Sequence, residues 1–209
     1  LRGGYWRNFR VKYPEANEMY ARMMEVSRRI QNALGSDPAD PTLREAQLEL
    51  YRGQCNCPYW HGAFGGIYLP HLRNAVYEHL ISAENLVEER FRGKDVWVDI
   101  RAEDLDFDGQ PEIRLANDQM VAYVAPSRGG QLYEWDIRSI KRNLLATMTR
   151  RPEVYHEKVR AGANGQHEGC ASIHDRVVFK QAGLESKVQY DRYLRKSLID
   201  IFYSPETTL

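Results

Sequence analysis

The sequence predicts an α+β fold in two parts, a small helical bundle over residues 1–92 followed by an incomplete antiparallel β-sandwich over residues 93–209. Three observations carry this. The hydrophobic period changes at Gly93 from about 3.6 residues to about 2. Before that point, apolar stripes start and stop on residues that open and close helices. After it, short alternating runs are separated by turn clusters such as "LAND" and "SRGG". The chain opens on Leu1 rather than Met and closes on "SPETTL" without a finishing element, so it reads as a multidomain fragment of something longer.

Residues 14–34 place Met19, Met23, Val26, Ile30 and Ala33 at alternating intervals of four and three, one face of a helix. Pro14 suits its first turn and Gly35 its C-terminal cap, while Glu18 with Arg22 and Glu25 with Arg29 are favourable i,i+4 pairs. After "SDPADP", Asp40 and Pro41 open a second helix running to about Arg52. From Pro70 a third helix puts Leu72, Val76, Leu80, Ala83 and Val87 on one stripe and ends at Gly93. Beyond it, "DVWVDIR" alternates Val96, Val98 and Ile100 against Trp97 and Asp99, and "QMVAYVA" and "QLYEWDI" are similar runs. The pattern weakens after Asn143, through "GANGQHEG" to a last amphipathic segment, "YDRYLRKSLIDIF".

Twenty-nine Lys and Arg balance 29 Asp and Glu, so no net field steers the chain to nucleic acid or an anionic membrane. No run of about 18 apolar residues offers a membrane span, and "LRGGYWRNFR" lacks a signal core, which leaves a soluble cytoplasmic chain. Three cysteines make no disulfide framework and point to reduced thiols.

Most candidate sites dissolve on inspection. Cys55, Cys57, His61 and His71 lack the paired knuckles of a zinc site and read as free thiols with ordinary histidines. "DLDFDGQPEIRL" begins like a calcium loop, with Asp104, Asp106, Asp108 and Gly109 in place, but its twelfth position is Leu115 where a bidentate carboxylate belongs. An acidic strand edge leading into an Asp-Gly turn is the reading taken. Glu88 and Glu89 fall on a helix exterior, and His174 beside Asp175 reads as structural because strand neighbours point apart. The sequence therefore calls for no catalytic carboxylate, no metal and no cofactor. What remains is "GQCNCPYWHGAFGG", residues 53–66, where Tyr59, Trp60, His61 and Phe64 stand among glycines. Flat rings beside amide and imidazole groups suit sugar recognition, and they equally suit a core plug.

The stretch "GQCNCPYWHGAFGGIYLPHLRNAVYEHLISAEN" resembles the last conserved region of glycoside hydrolase family 57, the α-amylases and 4-α-glucanotransferases. "WRNFRVKYPEANEMYARMMEVS" is similar to the helix pair before that region, and "DFDGQPEIRLAND", "PSRGGQLYEWDI", "TRRPEVYH" and "YDRYLRKSLID" to the family's C-terminal β-sandwich. The resemblance implies an enzyme in which an incomplete β/α barrel, carrying the nucleophilic glutamate and acid/base aspartate, precedes Leu1. This chain would then hold the helical region and sandwich, and would contribute Gln54, Asn56, Tyr59, Trp60 and His61 to the wall of the glucan site. Where many members have an acidic residue after the Asn, Cys57 stands here.

The expectation is thus the C-terminal portion of a retaining enzyme acting on α-1,4-glucan or maltooligosaccharides, its missing N-terminal barrel belonging to the same polypeptide. Surfaces that face the barrel would be exposed here and favour self-association. The rival reading is a non-catalytic carbohydrate-binding or assembly module, and a weaker third is a metal-dependent protein built on Cys55, Cys57 and the histidines.

Overall fold

Helices α1 (Trp6–Lys12), α2 (Pro14–Ser36), α3 (Pro41–Gly53) and α4 (Pro70–Arg92) open the chain in the computed structural model, which describes residues 5–61, 65–153, 155–157 and 183–207. Proline occupies the first turn of α2, α3 and α4, where its missing N–H costs nothing and its φ is preset. Asp40 caps α3 by accepting from the Leu43 amide at 3.0 Å. Gly93, at φ +65°, ends α4. Helix α2 runs through Gly35 to Ser36, one residue past the expected stop. The predicted faces meet in one core, in which Met19, Val26 and Ile30 of α2 pack with Leu43 and Leu50 of α3 and Val76, Leu80 and Val87 of α4.

Strands β1 (Val98–Glu103), β2 (Glu112–Asn117), β3 (Met120–Ala125), β4 (Gln131–Ile137) and β5 (Arg142–Asn143) form one antiparallel meander in chain order. Asn117 makes the β2–β3 turn by accepting from the amides of Gln119 and Met120 at 2.9 and 2.7 Å. Alternation holds from Val96 to Ile100, with the apolar residues outward, and stops there, since Arg101, Ala102 and Glu103 are all exposed. Val96, Val98 and Ile100 are 85%, 73% and 68% exposed, while Trp97 packs against the sheet core of Leu105, Val121, Tyr123 and Tyr133. Asp99 is drawn the same way by Arg114, whose Nη1 donates to it at 3.0 Å. The acidic run Asp104–Asp108 is no strand edge either, since it lies in the loop between β1 and β2. "YDRYLRKSLIDIF" forms no helix. Its Ser197 pairs with Leu132 of β4 through bonds of 3.0 and 3.1 Å.

The helices meet the sheet through buried charge. Arg22 of α2 donates from Nε to Glu134 of β4 at 2.9 Å, from Nη1 to Glu25 at 3.0 Å and from Nη2 to Glu84 of α4, with Asp136 of β4 at 3.4 Å. Glu84 also accepts from Arg29 and from Arg114 of β2. The i,i+4 pairs expected on α2 are therefore not the ones formed. Glu18 pairs with the buried Nζ of Lys196, and Arg29 with Glu84 and Glu88. Glu88 is 6% exposed, hence inside rather than on the helix exterior. Four guanidiniums, of Arg22, Arg114, Arg29 and Arg138, hold the Glu84 carboxyl well below its usual range against burial. Burial and the neighbouring Asp136 push Glu134 well up, and burial pushes Asp136 up to about 6.

By contact the chain divides into two units, Leu1–Thr147 with Lys196–Leu209, and Met148–Arg195. In the second, Asp191 accepts from the Arg150 amide at 2.7 Å and from Arg195 Nε at 2.8 Å, and the His156 ring lies 5.6 Å from Tyr190.

Candidate functional site

Between α3 and α4 the chain makes two single-turn 3₁₀ segments, Cys57–Tyr59 and Gly66–Tyr68, and the predicted site residues sit on and around the first. The loop is closed by its own backbone. The Ile67 amide donates to the Trp60 carbonyl at 2.8 Å, and a Cβ on Gly66, at φ +46°, would stand 2.2 Å from that oxygen. Only glycine permits so close an approach. Arg73 of α4 anchors the closing turn by donating to the Ile67 carbonyl at 2.5 Å.

This closure sends the two adjacent rings opposite ways. Tyr59 ends the first 3₁₀ turn while Trp60 is extended, at φ −154° and ψ −170°, so the backbone changes course between the two rings. Tyr59, 7% exposed, enters the helical core and donates its hydroxyl to the Gly53 carbonyl at 2.8 Å. Its burial pushes the phenol well above its usual range. Trp60 is 41% exposed, and Gln54, Cys55, Asn56 and Cys57 are exposed with it. His61 is half-buried in an aromatic cage. It stacks on Tyr68 at 5.3 Å and meets Phe9 and Tyr13 edge-on at 4.9 and 5.4 Å. The Tyr13 and Tyr68 hydroxyls share a hydrogen bond of 2.8 Å. Phe64 lies outside the described residues, as do His174 and Asp175.

Sequence reasoning missed the cage. The signal was present, since Trp6, Phe9 and Tyr13 stand at intervals of three and four, and Tyr13 is kept out of the α-region by the following Pro14. Trp6 completes the contact by donating from Nε1 to the Tyr59 carbonyl at 3.2 Å. Two other chemistries find no footing in the geometry. Among the described residues, Cys55, Cys57, His61 and His71 do not gather into a ligand set. Glu134 and Asp136 are a close carboxyl pair but are 1% and 0% exposed, and the cavity at Glu134 measures about 10 Å³, room for one water rather than a sugar.

Residues 104–209 match the family described as "Alpha-amylase/4-alpha-glucanotransferase, C-terminal", and residues 4–87 match its "middle domain". The chain belongs to the α-amylase/4-α-glucanotransferase family. Among its relatives, Alpha-amylase 1 of Dictyoglomus thermophilum is 39% identical over 212 residues, and the 4-alpha-glucanotransferase of Thermococcus kodakarensis 40% identical over 210. Each alignment takes in 100% of this chain and 29% of the relative, so the chain spans under a third of their length. It is also similar to the crystal structure of the 4-alpha-glucanotransferase from Thermococcus litoralis, at a TM-score of 0.71 and 35% identity, covering 26% of that protein. Family membership agrees with the helices-then-sheet order, and the loop 53–66 falls in the middle-domain match.

Proposed function

We propose that this chain is the middle and C-terminal part of a retaining, cytoplasmic enzyme acting on α-1,4-glucans, and that its loop forms one wall of the glucan site. The names of its family relatives, α-amylase and 4-α-glucanotransferase, supply the substrate class. The observation that carries the site is the division of the rings. Gly66 closure and the Tyr59 plug leave Trp60 exposed on the same loop as the exposed Gln54 and Asn56, while His61 stacks on Tyr68. A ring face then stacks on sugar C–H groups while amides and imidazole bond hydroxyls. Tyr59 serves this wall from within.

Retaining chemistry needs two carboxyl groups about 5 to 5.5 Å apart, one as nucleophile and one as acid and base. In this reading both come from the barrel of the longer polypeptide. Residues 1–92 supply the wall and residues 93–209 a sandwich sheet. The outward Val96, Val98 and Ile100 are an apolar face on which copies of the chain alone associate.

The test is Trp60→Ala in the full-length enzyme, assayed on maltooligosaccharides. The expected loss in kcat/KM corresponds to about 1 to 3 kcal/mol, with an unchanged Tm. Tyr59→Ala should do the reverse, lowering stability by about 3 to 5 kcal/mol through the cavity it leaves. A Trp60 variant that unfolds early yet keeps normal kinetics while folded would show a packing ring and end the proposal.

A further inference from the structure

We propose that the loop joining β1 to β2 is a divalent-cation site built for calcium. Counting from Asp104, carboxylates stand at positions one, three and five (Asp104, Asp106, Asp108), glycine at six (Gly109) and a further carboxylate at nine (Glu112). The sequence alone disfavours such a site, because the twelfth position is Leu115 and an acidic strand edge accounts for the run. The structure removes that alternative, since Asp104, Asp106 and Asp108 all lie off the strands. One ligand oxygen from each of the three lies within 4.8 Å of the others. Calcium–oxygen bonds are about 2.4 Å, so ligands on opposite sides of one ion are separated by about 4.8 Å. The three fit a single coordination sphere.

An acidic cluster alone would prove nothing, and the independent observation is Glu112. It is 0% exposed and enters the loop from the start of β2. Its Oε2 accepts from the amides of Leu105 and Asp106 at 2.8 and 3.3 Å, which presses the carboxylate against the loop's own backbone. Its Oε1 is buried with no hydrogen-bond partner, and so is Oδ1 of Asp106. A buried carboxylate oxygen without a donor is costly, and the two occur together beside the cluster. A cation held by the three aspartates satisfies Asp106 directly, and Glu112, which stands outside that ligand set at the ninth position, would reach it through a water, as that position often does in calcium loops.

Charge points the same way. Arg128 touches Asp106 and reaches Asp108 at 3.3 Å, so its one guanidinium serves two of the four carboxylates. The donor set is all oxygen, with no histidine or thiol, which selects a hard ion. A flexible loop suits calcium better than magnesium, which demands a near-ideal octahedron. The ion would fasten the loop to α2, because Asn17 donates to the Asp106 carbonyl at 3.0 Å and Phe107 meets the Tyr20 ring at 6.3 Å.

Calorimetric titration of the chelator-stripped chain with CaCl₂ tests this, with MgCl₂ alongside and Tm measured at each end point. One equivalent of calcium should bind with Kd of about 10⁻⁵ to 10⁻³ M, more tightly than magnesium, and raise Tm. Asp104→Asn and Asp108→Asn remove charge from exposed residues while keeping a side-chain oxygen that can accept from the loop amides of Asp108, Gly109 and Gln110, and each should weaken binding at least about tenfold. Asp95→Asn, exposed and remote in sequence from the loop, should leave binding unchanged. Arg128→Gln should tighten binding, since it removes the competitor for Asp106 and Asp108. No saturable heat or Tm shift up to about 10 mM calcium overturns the proposal. So does binding that both loop variants leave intact, or that Arg128→Gln fails to strengthen.

Discussion

Replacing Glu84 by Gln removes one charge and almost no volume at the point where the helices meet the sheet. Glu84 is 1% exposed and is contacted by Arg22, Arg29 and Arg114, with Arg138 at 3.5 Å. Breaking a buried ion pair by removing one partner costs about 3 to 5 kcal/mol, because the other charge stays buried and uncompensated. Here the stranded cations keep other partners. Arg22 retains Glu25, Glu134 and Asp136, and Arg114 retains Asp99. The expected loss is therefore at the lower end, about 3 kcal/mol. With a urea slope of about 2 kcal/mol/M, the unfolding midpoint falls by roughly 1.5 M. Far-ultraviolet circular dichroism and tryptophan fluorescence should report the same shift. Glu89→Gln, on the exposed side of the same helix, should stay within about 0.5 kcal/mol of wild type. Equal midpoints for the two variants would show that the network around Glu84 adds nothing to stability.

Asp136 should govern part of the pH dependence: its carboxyl is pushed up to about 6 in the fold from an ordinary 3.8, so the folded state holds the extra proton between those values. Stability should fall as pH rises through that window, and Asp136→Asn should flatten the fall, as urea midpoints at pH 4, 5, 6 and 7 would show. Gly66→Ala should lower stability by at least about 1 to 3 kcal/mol and abolish glucan turnover in the full-length enzyme, because its Cβ meets the Trp60 carbonyl at a strained φ. The 209-residue chain by itself should release no product from maltooligosaccharides, and robust turnover by it would contradict the assignment of both catalytic carboxyls to the barrel.

The parts of the fold legible in the sequence are those where one residue fixes local geometry. Pro14, Pro41 and Pro70 mark helix starts, Asp40 a cap and Gly93 a stop, and all stand where expected. Legibility fails where burial is decided by pairing instead of polarity. Val98 and Ile100 face solvent while Asp99, Arg114, Glu134 and Asp136 face inward, because each charge finds its partner on a segment distant in sequence. A pattern of apolar and polar residues cannot register that. The loop of residues 53–66 shows the same division. Its ring-rich composition is plain, but that Tyr59 is buried and Trp60 exposed goes with a loop closed by the Gly66 approach to the Trp60 carbonyl, a meeting of backbones that side-chain chemistry does not announce.

The buried charges also bear on how the loop is held. Arg22, Glu25 and Glu84 lie within the middle-domain match, and Arg114, Glu134 and Asp136 within the C-terminal match, so the ion pairs join two regions that sequence treats as separate. An apolar joint would tolerate sliding of helix on sheet, whereas a guanidinium fork divided among fixed carboxylates admits few arrangements. Helix α4 joins this network through Glu84 against Arg22 and Arg114 and through Asn85, which exchanges bonds of 2.8 and 3.2 Å with Arg138. The same helix carries Arg73, which fixes the Ile67 carbonyl and with it the turn that closes on Trp60. A chain of contacts thus runs from the turn that closes on Trp60 back to the sheet. If residues 53–66 form the proposed glucan wall, the charged interior would help to position it, a role that modest net stabilisation would not by itself explain.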